Sequence, residues 1–296
     1  MGIFDRSPQA RAAVLAAPPF VYALLLLAFP LVAIVLISFW TQSGLSLDTA
    51  FTTANYREIF SSPIYIWGNA TRWGLLPLSL FVSGTVTAIT VILAYPVAYY
   101  VSFHVAPDRK SLWLFLITVP FWTSYLIRVF LWKVILGYNG VINTGLIEAG
   151  LIDEPLNFLL YNLSSVIITL AHAYAVFAIL PIYVALEKID RSLLEAAQDL
   201  GESRFTTFLR VTLPLSVPGI VGAVLIVFIP TIGDYVTPEL MLGAGGRLVS
   251  NIIQAQFLQI NNAPLGAALS IVTMLAVAIV SLGFILLNRR WLRGRS

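Results

Sequence analysis

The residues best placed to do chemistry in this 296-residue chain lie in one polar stretch, Glu187 to Pro214, which reads EKIDRSLLEAAQDLGESRFTTFLRVTLP. Its acids and bases are interleaved with apolar residues instead of being gathered at one point, a pattern that suits docking better than acid–base or nucleophilic catalysis. Leu193, Leu194, Ala197 and Leu200 recur at helical spacing, with Asp190 and Ser192 as N-cap candidates. Gly201 is placed to end that helix, where the chain turns with positive φ. Beyond it Phe205, Phe208, Leu209 and Thr212 form a second apolar stripe, which the Leu213-Pro214 step is expected to break. Two short amphipathic helices bent at a glycine leave apolar side chains facing water. Such a surface either docks a partner or lies as a hairpin in the lipid headgroup layer.

The rest of the reactive inventory is small. With no cysteine the chain has no disulfide framework, thiolate metal site or cysteine nucleophile. Two histidines, His104 and His172, are too few for an imidazole metal site in this chain alone. The three lysines, Lys110, Lys133 and Lys188, follow Arg, Trp and Glu, so the Gly-Lys ending of a phosphate-binding loop is missing. No carboxylate falls near the middle of an apolar run, whereas ion-driven carriers bury acids there at a cost that only function justifies. The expectation is therefore a chain with no catalytic residue, no metal and no cofactor of its own. Any uphill work must come from a partner.

The elements that position these residues follow from composition. Apolar residues make up 59% and charged residues 10%, with a mean hydropathy of +0.89. Ordinary soluble domains carry about 25% charge, so this chain needs lipid. Its net charge of +3 is too small to argue for nucleic acid. A spanning helix takes about 20 apolar residues at 1.5 Å each. Six runs qualify: 18–40, 76–102, 112–136, 163–186, 215–232 and 266–287. The expected fold is all-α, a polytopic membrane protein of six transmembrane helices forming one domain over 1–296, with a connecting segment at 187–214. The first run is too long for a cleaved signal and reads as a retained anchor.

Basic residues set the orientation, because Lys and Arg stay on the cytoplasmic side during insertion. Arg6, Arg11, Arg109, Lys110, Lys188, Arg191, Arg204, Arg210, Arg289, Arg290, Arg293 and Arg295 share one face. The other face has only Arg57, Arg72 and Arg247, together with Asp48, Glu58, Glu148, Asp153, Glu154, Asp234 and Glu239. Both termini and the 187–214 segment are thus expected in the cytoplasm, beneath an acidic outer face. Arg128, sixteen residues into its run, is expected to reach the outer headgroups or an ion pair.

Glu195-Ala196-Ala197, three residues, Gly201, nine residues, then Val211-Thr212-Leu213-Pro214 resembles the EAA loop of ABC importer permeases. That family's loop runs EAA, three residues, Gly, nine residues, Ile or Val, any residue, Leu-Pro. The resemblance implies type I ABC importer permease architecture, with the loop coupling a cytoplasmic ATPase to the spans. Glu195 would pair with a basic group of the ATPase, Ala196 and Ala197 would allow close approach, and Gly201 would supply the bend. Asp199, Phe205 and Phe208 would complete the contact. Further tracts resemble the spermidine/putrescine permeases: Pro120-Phe121-Trp122-Thr123-Ser124 with Arg128, Gly140-Val141-Ile142-Asn143, Pro218-Gly219-Ile220, Asp234 to Leu240, and Gly266 to Ser270. The chain departs from that pattern at 241–247, where a longer Gly-rich outer loop replaces a compact Leu-Gly-Gly.

A polyamine would call for aromatic walls along its methylenes and carboxylates or ring faces at its ammonium ends. Trp122, Tyr125 and Trp132 are spaced to share a helix face, which is also the pattern of an aromatic packing face. Asp234, Tyr235 and Glu239 follow Pro230 and Gly233, where a broken helix could turn a carboxylate inward. His172 reads as a hydrogen-bonded core residue. The resemblance implies a bacterial inner-membrane permease that forms half of a substrate pathway and is not itself an enzyme. Its partners would be a homologous second permease in a heterodimer, two ATP-binding cassette subunits holding ATP and Mg, an extracytoplasmic substrate-binding protein, and membrane lipid. Importing another small solute, or acting as a stand-alone ion-coupled carrier, are the alternatives.

Overall fold

The computed structural model describes residues 8–44, 46–68, 73–159, 161–243 and 246–292, with 8–14 as backbone only. Of the charges used for orientation, Arg6, Arg72, Arg293, Arg295 and the side chain of Arg11 lie outside the described residues, as do Ala244 and Gly245 of the lengthened loop. Among the described residues the regular structure is helical apart from one antiparallel hairpin, β1 (Thr41–Ser43) with β2 (Ser46–Asp48). The helices are α1 (Pro8–Ile37), α2 (Ala54–Ser61), α3 (Leu75–Phe103), α4 (Pro107–Thr118), α5 (Tyr125–Leu136), α6 (Val141–Glu148) and α7 (Leu163–Glu187). They continue as α8 (Arg191–Asp199), α9 (Arg204–Thr207), α10 (Leu213–Gly233), α11 (Val236–Met241), α12 (Val249–Leu258) and α13 (Ala263–Leu292). Among the described residues six segments are long and apolar enough to cross a membrane: Leu15–Ile37, Leu75–Phe103, Tyr125–Glu148, Leu163–Glu187, Arg204–Gly233 and Ala263–Leu292. The all-α fold with six candidate spans is the one expected, but the third lies over α5 and α6 instead of at 112–136.

Where one domain was expected, the chain groups into two compact units. The first joins Met1–Ser62 to Ile253–Met274. Within it the buried Asn55 amide donates to the carbonyls of Ser38 (2.9 Å) and Trp40 (2.8 Å), satisfying the chain where α1 ends. Gln42 accepts the Ala263 amide at 3.0 Å.

The second unit, Pro63–Ile252 with Leu275–Ser296, has its core between α3, α7 and α10. In lipid, helices gain little from hiding apolar surface from one another, so close packing and small residues decide where they meet. Ala94, Ala98, Ala178 and Ala223 are buried there. A Cβ at Gly219 would stand 2.4 Å from Ala185 Cβ and 2.6 Å from the Pro181 carbonyl, so the approach of α10 to α7 requires glycine. The hydroxyls of Tyr95 and Ser216 meet at 2.9 Å and tie α3 to α10.

Two expectations are corrected. The run 112–136 is not one helix but two, α4 and α5, of 12 residues each, separated by a 3₁₀ turn at Val119–Trp122 and by extended backbone at Thr123 and Ser124. Pro120 is the cause, because it has no N–H to give and its ring crowds the preceding turn. At about 18 Å, neither helix alone spans a bilayer core. The second correction concerns Leu213-Pro214, which does not end the helix. Helical backbone runs from Arg204 to Gly233 through a π-turn at Phe208–Thr212. The wider turn just ahead of Pro214 accommodates its ring and missing N–H, which would disrupt a regular helix at that point.

Candidate functional site

The 187–214 segment is built from its caps outward. Asp190 caps α8, its carboxylate accepting the Ser192 amide at 3.0 Å, while Ser192 itself stands inside the helix. The backbone and side chain of Ser192 hold the Asp190 carboxyl below the usual aspartate range. At the other end the Glu202 amide donates to the Ala197 carbonyl (3.1 Å) and the Gly201 amide to the Gln198 carbonyl (2.9 Å). This is a Schellman stop, with Gly201 at φ +88°. A Cβ at Gly201 would touch nothing within 4 Å, so backbone conformation and not space demands the glycine. Ser203 then caps α9 by accepting the Thr206 amide at 3.2 Å, and Arg210 pairs with Glu202 at 2.5 Å.

With the backbone satisfied in this way, the apolar side chains stay outside. Leu200 is 86% and Phe205 70% exposed, and no side chain of α8 is buried. Glu195, Ala196 and Asp199 are exposed beside them, with Ala197 half-buried. Among the described residues Glu195 has no ion-pair partner. Phe208 differs from the other expected coupling residues. It turns inward and meets the rings of Tyr95 and Tyr99 edge-on, each at 5.8 Å.

At the far end of α10, Asp234 is buried at 9% exposure. One carboxylate oxygen accepts the amides of Val236 (2.9 Å) and Thr237 (3.2 Å), opening α11. The other accepts the Thr237 hydroxyl at 2.7 Å and the Tyr125 hydroxyl. The Ser250 hydroxyl donates to the Asp234 carbonyl at 2.8 Å, and Asn251 bridges the Tyr235 carbonyl (2.9 Å) and the Glu239 carboxylate (3.1 Å). The structure thus gathers Tyr125, Asp234, Tyr235 and Glu239 at one knot joining α5, α11 and the start of α12. Asp234 is fully committed inside it, whereas Tyr235 and Glu239 are exposed.

The aromatic face divides at the helix break. Trp122, 72% exposed, sits in the 3₁₀ turn and not on α5 with Tyr125 and Trp132. The Trp132 indole N–H donates to His172 Nδ1 at 3.0 Å, so His172 is hydrogen-bonded as expected but on an exposed face instead of in the core. Arg128 is a further correction. It neither reaches the headgroups nor forms an ion pair among the described residues, and it is 7% exposed. Its guanidinium donates to the carbonyls of Thr123 (3.1 Å), Ala173 (3.2 Å) and Phe121 (3.4 Å) and lies 4.8 Å from the Phe121 ring centroid. The break that Pro120 opens frees carbonyls among apolar side chains, and the forked guanidinium supplies their donors.

Sequence reasoning missed Thr237 as the partner of Asp234. The signal was available, since an Asp just ahead of a helix start reads as an acceptor for the first amides of that helix. It also missed Ser102, Arg191 and the Lys110–Glu187 pair, whose partners lie 77 or more positions apart and share no local pattern.

Comparison with known proteins places this geometry. The family described as "Binding-protein-dependent transport system inner membrane component" matches residues 94–293. The Haemophilus influenzae protein named spermidine/putrescine transport system permease protein PotB is 39% identical over 82% of this chain and 82% of its own length. Its Escherichia coli namesake is 36% identical over 83% and 86%. A chain of a bacterial alginate ABC transporter, crystallised with an alginate pentasaccharide-bound periplasmic protein, superposes with a TM-score of 0.68 over 94% of both chains at 19% identity, a likeness of fold. The chain therefore belongs to the inner-membrane components of binding-protein-dependent transport systems, as a transmembrane permease subunit of an ABC importer.

Proposed function

We propose that this permease forms half of the pathway of a polyamine importer, for spermidine, putrescine or a similar small organic cation. A homologous second permease supplies the other half in a heterodimer, two ATP-binding cassette subunits dock on the 187–214 segment, and an extracytoplasmic binding protein delivers the cargo. Both termini and that segment lie in the cytoplasm. ATP and Mg are held by the ATPase subunits, and this chain binds no cofactor and catalyses no reaction. The substrate class is taken from the names of the H. influenzae and E. coli permeases that this chain resembles.

The observation that carries the coupling role is the glycine-bent elbow, which leaves Leu200 and Phe205 outside next to an unpaired Glu195. An exposed apolar surface of this kind beside polar side chains suits a partner that covers it. Glu195 pairs with a basic group of the ATPase, Ala196 and Ala197 allow close approach, and Asp199 and Phe205 complete the contact. Phe208 acts from the inner side. On the substrate side, Trp122, Tyr235 and Glu239 offer accessible rings and a carboxylate, while Tyr125, Trp132 and Asp234 shape the wall behind them.

The test is ATP-dependent uptake of labelled spermidine by proteoliposomes holding both permeases and the ATPase, with the binding protein added. Glu195→Arg should abolish uptake while the chain still inserts. Uptake by this chain alone, with no ATPase present, would overturn the reading. Import of another small solute is a second reading. It is favoured by the full commitment of Asp234 and by the buried positive charge of Arg128, which leave few acids free for a cation.

A further inference from the structure

No side chain of α8 is buried, yet the segment that begins there is fastened to the bundle at both ends. Both fastenings are on the same helix. At the first, the Arg191 guanidinium donates to the Ser102 carbonyl at 2.6 Å and lies 4.3 Å from the Phe103 ring centroid. Ser102 is in the last turn of α3, where a helix leaves carbonyls without intrahelical donors, so Arg191 fills a vacancy that the helix end creates. The Ser102 hydroxyl donates to Glu187 at 3.1 Å, and Lys110 donates to the other oxygen of that carboxylate at 2.6 Å, joining the ends of α3 and α7 to the start of α4. At the second fastening, Phe208 meets the rings of Tyr95 and Tyr99. Positions 95, 99, 102 and 103 fall on one face of a helix, over about 12 Å of rise. Between the two grips, Leu193, Leu200 and Phe205 remain exposed.

We propose that α3 is the lever that receives the coupling stroke, with Arg191 and Phe208 as the positioning residues that deliver it sideways from the elbow. This inference rests on the permease reading above. The covalent ends of the elbow lead only into α7 and α10, and a stroke carried by them alone would leave α3 to follow passively. A charge-assisted hydrogen bond backed by ring stacking at one end, and an aromatic wedge at the other, make α3 move with the elbow. The π-turn at Phe208–Thr212 lies at the wedge, and such wider turns are frequent at functional sites.

The experiment measures labelled spermidine taken up per ATP hydrolysed in proteoliposomes containing the complete complex. Arg191→Ala and Phe208→Ala should each lower that ratio about fivefold, the lower end of ordinary coupling between sites. The ATPase should still co-purify with both variants. Arg191→Lys, which keeps a donor for the Ser102 carbonyl, and Phe208→Leu, which keeps an apolar wedge, should recover most of the ratio. An unchanged ratio in both alanine variants overturns the proposal. Loss of ATPase co-purification in Arg191→Ala overturns it too, because it would place Arg191 in docking instead of transmission. A wild-type complex with no ATP-driven uptake of spermidine would sink the polyamine reading, whereas a working wild type with indifferent variants sinks only the role of α3.

Discussion

Between α4 and α5 the chain breaks its helix among apolar side chains; between α8 and α9 it breaks in a polar stretch. Each interruption strands backbone carbonyls and amides that need partners. At the first, the structure supplies a buried guanidinium whose fork reaches the carbonyls of Phe121, Thr123 and Ala173. At the second, a positive-φ glycine and the Asp190 and Ser203 caps do the work locally. The difference teaches where each site can be adjusted. The inner break depends on one long-range side chain and tolerates little change. The outer break is self-contained, so its side chains are free to face a partner.

The largest effect should come from removing the inner donor. Arg128→Ala removes the buried donor that serves the Phe121 and Thr123 carbonyls of the break and should cost about 3 kcal/mol or more, read as a lowered unfolding midpoint in detergent. Arg128→Lys should recover only part, because a compact ammonium cannot span the fork. A neutral Arg128→Ala would erase the contrast between the two breaks.

Tyr125→Phe sharpens the same side of the comparison. It removes the hydroxyl that α5 gives to the buried Asp234 carboxylate and should cost about 1.5–3 kcal/mol, the usual worth of a hydrogen bond to a charged group. Unfolding in detergent measures it, and uptake should fall as α5 loosens from α11.

On the polar side, Gly201→Val forces a β-branched residue to φ +88°. With nothing to clash against, the penalty should be the backbone one alone, about 1–2 kcal/mol. Global unfolding should barely move while ATP-dependent uptake is lost. Gly201→Asn should be milder, since Asn visits that region more readily.

The smallest effect is a pH dependence. Because folding lowers the pKa of Asp190, its contribution to α8 is present above the ordinary aspartate value of 3.8 and lost as pH falls through the lower folded value. Amide exchange at Ser192 and Leu193 should accelerate over that acid window. Asp190→Asn, an equally good cap without a charge, should remove the dependence.

Much of this was legible in the residues. The six apolar runs, the caps and the glycine of the elbow announce themselves through local spacing, because lipid thickness, helical period and positive φ each act over neighbouring positions. The outward side chains Leu200 and Phe205 followed from the same periodicity. The inward turn of Phe208 did not, because it depends on Tyr95 and Tyr99 of a helix more than a hundred positions earlier. The sharing of a face by Trp122 and Tyr125 failed for a local reason, the weight of Pro120 against a strongly apolar run.

Sequence by itself determined that this chain lives in lipid, how many times it can cross, and where its glycine-bent amphipathic elbow stands. All three depend on composition and on short-range backbone rules. Only the tertiary structure decided that Arg128 serves carbonyls instead of headgroups, that Asp234 is spent on Tyr125 and Thr237, and that Arg191 and Phe208 of the elbow meet α3. Those outcomes depend on which helices meet, and in a bilayer that is set by close packing and by the need of every buried polar group for a partner, wherever in the chain it lies.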